Sequence, residues 1–210
     1  MKAFPVFIIA LLLFASCNNR NNQQGGDQAD SANVSADTTN MRVDKTDLTQ
    51  LSLEILKDFK NKNYEALVQY IHPDEGVRFS PYAFIEPDTH VQLSSADFLS
   101  AVNSNEKRIW GSFDGTGDEI NMTAKEYFER FVYDVDFLEP ETFSINETIS
   151  SGNSLNNQAE IYPGTQYTES HFSGFEEKYN GMDWRALRLI FKQVNGNYYL
   201  VGIVHDEWTI

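Results

Sequence analysis

Asn195-Gly196 lies between two runs rich in apolar and aromatic residues, Arg185 to Gln193 and Tyr198 to Asp206. A two-residue hairpin loop in a type I′ turn needs positive φ at both central positions, and the Asn-Gly pair tolerates that conformation. An antiparallel C-terminal hairpin is therefore expected, with its register set by the turn. Val194 then faces Asn197, Arg188 faces Ile203, Ala186 faces His205, Arg185 faces Asp206 and Trp184 faces Glu207. Side chains alternate along a strand. This register groups Leu187, Leu189, Phe191, Leu200 and Val204 on one side and Trp184, Arg188, Ile190, Val201, Ile203 and His205 on the other. Both sides are largely apolar, so a strongly curved sheet is expected, covered on both faces, one face wrapping a helix and lining a cavity in part.

The rest of the domain, Arg42 to Ile210, reads in the same way. Leu48, Leu51, Ile55 and Phe59 recur at three- and four-residue spacing, with Asp44 or Thr46 available as N-cap, and predict a helix. After Asn61-Lys62-Asn63, residues Tyr64, Leu67, Val68 and Ile71 repeat the pattern until His72-Pro73 stops it, giving a helical hairpin. Val77 to Ser80 and Thr89 to Leu93 read as short strands. Ser94 or Ser95 caps a helix with Phe98, Leu99 and Val102, and Thr123-x-x-Glu126 is a capping box before Tyr127, Phe128, Phe131 and Val132. Beyond Pro140 the helical period gives way to strands at Thr142 to Ile149 and Thr165 to Phe172, ahead of the terminal hairpin.

The 210 residues include 15 Phe and 10 Tyr, enough apolar material for a packed core. Lys and Arg number 16 against 31 Asp and Glu, a net charge of -15, which argues against nucleic acid as a partner because such binding depends on phosphate neutralisation. The acidity is uneven. From Gly111 to Ser150 ten acidic residues stand against Lys125 and Arg130, a local net of -8.

The one cysteine forms no intramolecular disulfide, and its position is informative. Lys2 precedes an almost unbroken apolar run from Phe4 to Ala15, too short to span a bilayer and fitting a signal-peptide core. The run ends in Phe14-Ala15-Ser16-Cys17, which resembles the lipobox of bacterial lipoproteins, with Phe14 where that family usually has Leu. The resemblance implies cleavage after Ser16, so that residues 1–16 are a signal peptide, and acylation of Cys17. Three acyl chains at about 0.8 kcal/mol per buried methylene make such an anchor effectively permanent. Asn18, where Asp would signal inner-membrane retention, implies sorting to the outer membrane, and the lack of an acidic cluster after Cys17 favours the periplasmic face. Residues 17–41 then form a tether of six Asn, three Gln and no aromatic residue between Asn18 and Asn40, with a reach of roughly 25 Å.

A helical hairpin followed by a helix-interrupted and then long-stranded antiparallel sheet resembles the NTF2-like, or cystatin-like, α+β cone, with the helix carrying Phe128 and Phe131 as an insertion. His72 to Tyr82 and Leu200 to Ile210 are also similar to blocks of a family of uncharacterised bacterial lipoproteins and exported proteins. The cone resemblance implies a pocket between sheet and helices. In the turn-derived register Arg188, His205 and Trp184 line it, a cation, an imidazole and an indole suited to an anionic or aromatic small molecule. The alternative is that Arg188 pairs with a buried carboxylate and His205 caps a loop. The resemblance also implies that His72, Arg78 and Tyr82 lie near the pocket mouth, although a histidine at a helix end also serves the helix dipole.

Glu169 and His171, at i and i+2 on one strand face, need His205 to converge with them before they resemble a zinc site. Asp114-Gly115-Thr116-Gly117-Asp118-Glu119 departs from the EF-hand ligand pattern and reads as a solvated loop. No Walker loop, dinucleotide fingerprint, nucleophile elbow or His-Glu-x-x-His motif is present, and no cofactor or metal is expected. His205 and Asp206, neighbours on a strand, point to opposite faces, so Asp206 is expected to pair with Arg185 instead. Three functions fit: a non-catalytic lipid-anchored module binding a small molecule, a cell-wall fragment or a protein partner; a pocket enzyme of isomerase or hydrolase type using His205 or His72; or a structural envelope protein with a filled cone.

Overall fold

The computed structural model describes residues 45–149, 152 and 155–209; the proposed signal segment, Cys17 and the tether lie outside them. Helix α1, Lys45–Lys60, buries Leu48, Ile55 and Phe59. Helix α2, Tyr64–Leu67, continues as a 3-10 turn over Val68–Tyr70. Ile71, two residues before Pro73, is already extended and bridges to Leu200. Helix α3, Ser95–Val102, is capped by Ser94, whose hydroxyl accepts the Asp97 N–H at 3.2 Å. Helix α4, Ala124–Phe131, starts with the expected Thr123/Glu126 capping box.

Six strands form one mixed sheet in the order β2-β1-β8-β7-β6-β5. They are β1 (Val77–Ser80), β2 (Gln92–Leu93), β5 (Thr142–Ile145), β6 (Gln166–Phe172), β7 (Arg185–Val194) and β8 (Asn197–Glu207). The sheet departs from the antiparallel expectation at one place, because β1 pairs with β8 in parallel. β5 is shorter than expected because Asn146 takes a left-handed φ of 58°, and its side-chain oxygen accepts the Tyr167 N–H. A separate hairpin of β3 (Arg108–Ser112) and β4 (Glu119–Met122) carries the acidic 114–119 turn at its tip, so the expected loop is there but the strands flanking it are additional.

The Asn195-Gly196 turn has φ of 51° and 86°, and from Val194↔Asn197 to Phe191↔Leu200 the register follows the turn. It then slips. Ile190 pairs with Gly202, leaving Val201 as the extra residue of a β-bulge. The slip corrects the expected pairing: Leu187 faces His205, Ala186 faces Asp206 and Arg185 faces Glu207. It also corrects the faces, since a one-residue shift turns every later side chain over. Ile203 joins Leu187, Leu189, Phe191 and Leu200 in the main core, and Val204 joins Ile190 and Val201 on the opposite side. Two contacts seal the bulge. The Tyr162 hydroxyl donates to the Val201 carbonyl at 3.2 Å, and a side chain at Gly202 would meet the Tyr162 ring at 3.4 Å.

The main core lies between the first face and helices α1, α3 and α4. Rings of Phe79, Phe98, Trp110, Tyr127, Phe128 and Phe131, each 0 or 1 % exposed, fill it. Trp110 stacks on Tyr127 at 4.2 Å, and Phe128 stacks on Phe79 and Phe98 at 5.2 and 5.5 Å. Pairs of this kind add to the area term and make the region specific in shape. The second face holds a smaller cluster of Ile85, Ile190, Val201 and Val204, covered by Ile161 of the short helix α5 (Gln158–Ile161) and by Tyr162 and Tyr167. Among the described residues no helix is long and apolar enough to cross a membrane.

Candidate functional site

The bulge separates His205 from Arg188 and Trp184, the two residues expected to share a pocket with it. Arg188 lies on the second face, fully buried, with its Nε donating to Glu169 Oε2 at 2.6 Å and Nη2 at 3.8 Å from Asp206 Oδ2. Ile149 N–H donates to the other Glu169 oxygen at 2.9 Å. The buried-carboxylate alternative thus describes Arg188, and Asp206 belongs with it rather than with Arg185. Trp184 stacks on His171 at 6.1 Å, with Gly152 against its ring. Glu169 and His171 share that face, but His205 does not converge with them.

His205 points into the main core beside Phe131, with ring centroids 5.8 Å apart. It has no exposed surface, its Nδ1 lies 3.3 Å from the Pro81 carbonyl, and Nε2 lies 3.4 Å from Asp134 Oδ1. Asp134 also takes the Arg185 Nε at 2.9 Å, and Glu207 sits 3.2 Å from Arg185 and 2.5 Å from Arg130. Burial alone would raise the Asp134 carboxyl; hydrogen bonding and charge from His205 and Arg185 outweigh it and hold it below the usual range. Asp134, His205 and Glu207 have ligand atoms within 4.8 Å of one another. Two arginines already neutralise both carboxylates, so a dication would add charge to a buried region that is balanced without it.

His72 is buried in a turn, its Nδ1 accepting from the Asp74 and Glu75 N–H groups at 3.2 and 3.0 Å. Arg78 and Tyr82 lead elsewhere, to the end of the sheet where β1 and β8 finish side by side. A groove of about 750 Å³ opens there between the loop after β1 and the β3–β4 tip, lined by Tyr82, Phe84, His90, Phe113 and Thr209 among others. Within the segments His72 to Tyr82 and Leu200 to Thr209, Arg78 to Ser80 pair with Gly202 to Val204, and Tyr82 and Thr209 both line this groove.

The loop forming one wall is held from several sides. Arg78 Nη1 donates to the Pro87 and His90 carbonyls at 2.7 and 2.8 Å, and Nη2 donates to Gln92. Ser80 Oγ donates to the Tyr82 carbonyl at 2.7 Å. Asn157 grips the Ile85 backbone twice, accepting its N–H at 2.8 Å and donating to its carbonyl at 2.9 Å. Phe84 nevertheless remains 43 % exposed, a large apolar ring on a fastened loop. Burial pushes the His90 imidazole down to about 4, so it is neutral near pH 7. Burial also raises the Tyr82 phenol, keeping it a neutral hydroxyl. Gly111, at φ 140°, packs against the His90 ring, where a Cβ would lie 3.0 Å from Cδ2.

Sequence reasoning reached Tyr82 and Arg78 and missed Phe84, His90 and Phe113. The signal for them was Pro81 and Pro87 framing an aromatic segment, together with the Asp114-Gly115 turn opposite.

No protein-family model matches the chain, and no curated protein matches it. A solved structure similar to it is that of a DUF4783 family protein from Bacteroides ovatus, at 12% identity and a TM-score of 0.34, covering 74% of this chain and 94% of that one.

Proposed function

We propose that this protein is a non-catalytic, lipid-anchored module of the bacterial envelope, held by Cys17 at the periplasmic face of the outer membrane. Its domain is a variant of the NTF2-like cone that binds its ligand in the groove at the end of the sheet. The sheet order with a parallel β1/β8 pair and helices α1, α3 and α4 on one face supports the cone. The observation that carries the binding reading is the exposed Phe84 on a loop fixed by Arg78, Ser80 and Asn157, because a ring held in water by a rigid scaffold is poised for a contact. The aromatic filling of the main core directs attention to this groove rather than to the cone interior. The burial of His72 and His205 counts against the enzyme alternative, since neither residue has more than 3 % of its surface exposed to meet a substrate.

Two measurements test the reading. Small molecules co-purified with the full chain, identified by untargeted mass spectrometry, should include a species that is lost from the Phe84→Ala variant. Membrane fractionation of Cys17→Ala should release the protein into the soluble fraction; retention in the membrane would refute the anchor.

A further inference from the structure

The groove's ligand class follows from the polarity of its walls. Its rings are Tyr82, Phe84 and Phe113, and its carboxylates are Glu86 and Asp114. Each carboxylate has one oxygen committed locally: Glu86 Oε2 accepts the Thr89 hydroxyl at 2.7 Å, and Asp114 Oδ1 accepts the Gly115 N–H at 2.9 Å. The remaining oxygens are acceptors that would repel an anion, as would the net charge of -15.

His90 supplies the complementary group. Its Nδ1 accepts the Glu86 backbone N–H at 3.1 Å and lies 3.0 Å from Ser80 Oγ; the hydroxyl can turn to either role but an amide is always a donor, so the ring proton of the neutral imidazole sits on Nε2. Nε2 has no hydrogen-bond partner among the described residues. The groove thus combines aromatic faces, carboxylate acceptors and one fixed neutral donor. A phosphate or carboxylate would suit the donor and meet two negative charges. A cation would suit the carboxylates and meet the positive end of an N–H dipole. A ring bearing hydroxyls, each both donor and acceptor, satisfies both and lays its C–H face on the aromatic rings.

We propose that the groove binds an uncharged oligosaccharide, stacking a sugar ring on Phe84 and presenting a sugar oxygen to His90 Nε2–H. This rests on the reading of the groove as the binding site. The test is calorimetric titration of the full chain in amine-oxide micelles, which carry no sugar headgroup, with cellotetraose, maltotetraose, N-acetylated chitotetraose and, as the cationic comparison, trilysine. At least one tetrasaccharide should bind saturably, and Phe84→Ala should weaken it about tenfold with an unchanged melting temperature, since the ring is a surface group. Absence of binding by all three sugars overturns the proposal, as does sugar binding that Phe84→Ala leaves intact. If trilysine binds instead and loses affinity in Phe84→Ala, the ligand class fails while the groove reading stands. If no probe binds and no co-purified species depends on Phe84, both fail.

Discussion

Replacing Arg188 by Met keeps most of the side-chain volume and removes the charge, which isolates the electrostatic role of the buried pair on the second face. Arg188 and Glu169 are 1 and 0 % exposed, and Nε and Oε2 are 2.6 Å apart. Without the guanidinium, Glu169 keeps the Ile149 N–H on one oxygen and loses its charged donor on the other, with the Asp206 carboxylate facing the same space. Breaking a buried pair from one side costs about 3–5 kcal/mol, much of it the uncompensated charge left behind. For a chain of this size that corresponds to a fall in Tm of roughly 6–20 °C. Arg188→Met combined with Glu169→Gln removes the stranded charge while leaving an acceptor for Ile149, so the double variant should be more stable than the single one by about 1–3 kcal/mol. Urea unfolding followed by tryptophan fluorescence gives both differences, with Trp110 and Trp184 as buried reporters. A loss below about 1 kcal/mol for Arg188→Met, or a double variant no better than the single, would refute the assignment of a structural ion pair.

Two further outcomes follow from the same geometry. His90 should stay neutral in an NMR titration down to about pH 4, against an ordinary value of 6.5. Because its folded value is the lower one, the unfolded chain takes up the proton first; the contribution of neutral His90 is complete above about pH 6.5 and is lost as pH falls toward 4. Urea midpoints at pH 7 and 5 should therefore differ less in His90→Gln than in the wild type. Thr123→Ala removes one half of the α4 capping box and should cost about 1 kcal/mol in the same unfolding assay, with no effect on the groove.

The elements with local causes were legible: the Asn195-Gly196 turn, the Thr123 capping box, the α1 stripe and the stop at His72-Pro73. Parallel pairing of β1 with β8 was not, since it joins residues more than a hundred positions apart and no short-range pattern encodes it. The bulge had one trace in the chain, Gly202 inside an otherwise β-branched and apolar run, a residue type that often marks a bulge or a close approach. Reading through that glycine put Arg188 and His205 on one face. The groove was legible only in part, because Tyr82 stands next to a strand end whereas Phe84 and His90 owe their positions to Arg78 and Asn157, which reach them across the fold.

The extra residue at Val201 gives the last strand a parity. Its closing sequence His205-Asp206-Glu207 sends the first and third side chains toward Asp134, Arg185 and Arg130, and the second toward Arg188. A ladder that kept every residue but had no bulge would pair Ala186 with His205 and Arg185 with Asp206, putting the imidazole on the face of Arg188 and Glu169 and the Asp206 carboxylate on the opposite one, whereas removing Val201 together with the bulge would leave Leu187 opposite His205. The turn at the other end fixes the register only as far as Phe191 and Leu200, so the bulge alone decides which face each closing side chain takes. The bulge is therefore what reconciles the register set by the turn with the ionic partners at the far end of the strand, and its closure without loss of a residue would reverse the polarity of the two faces.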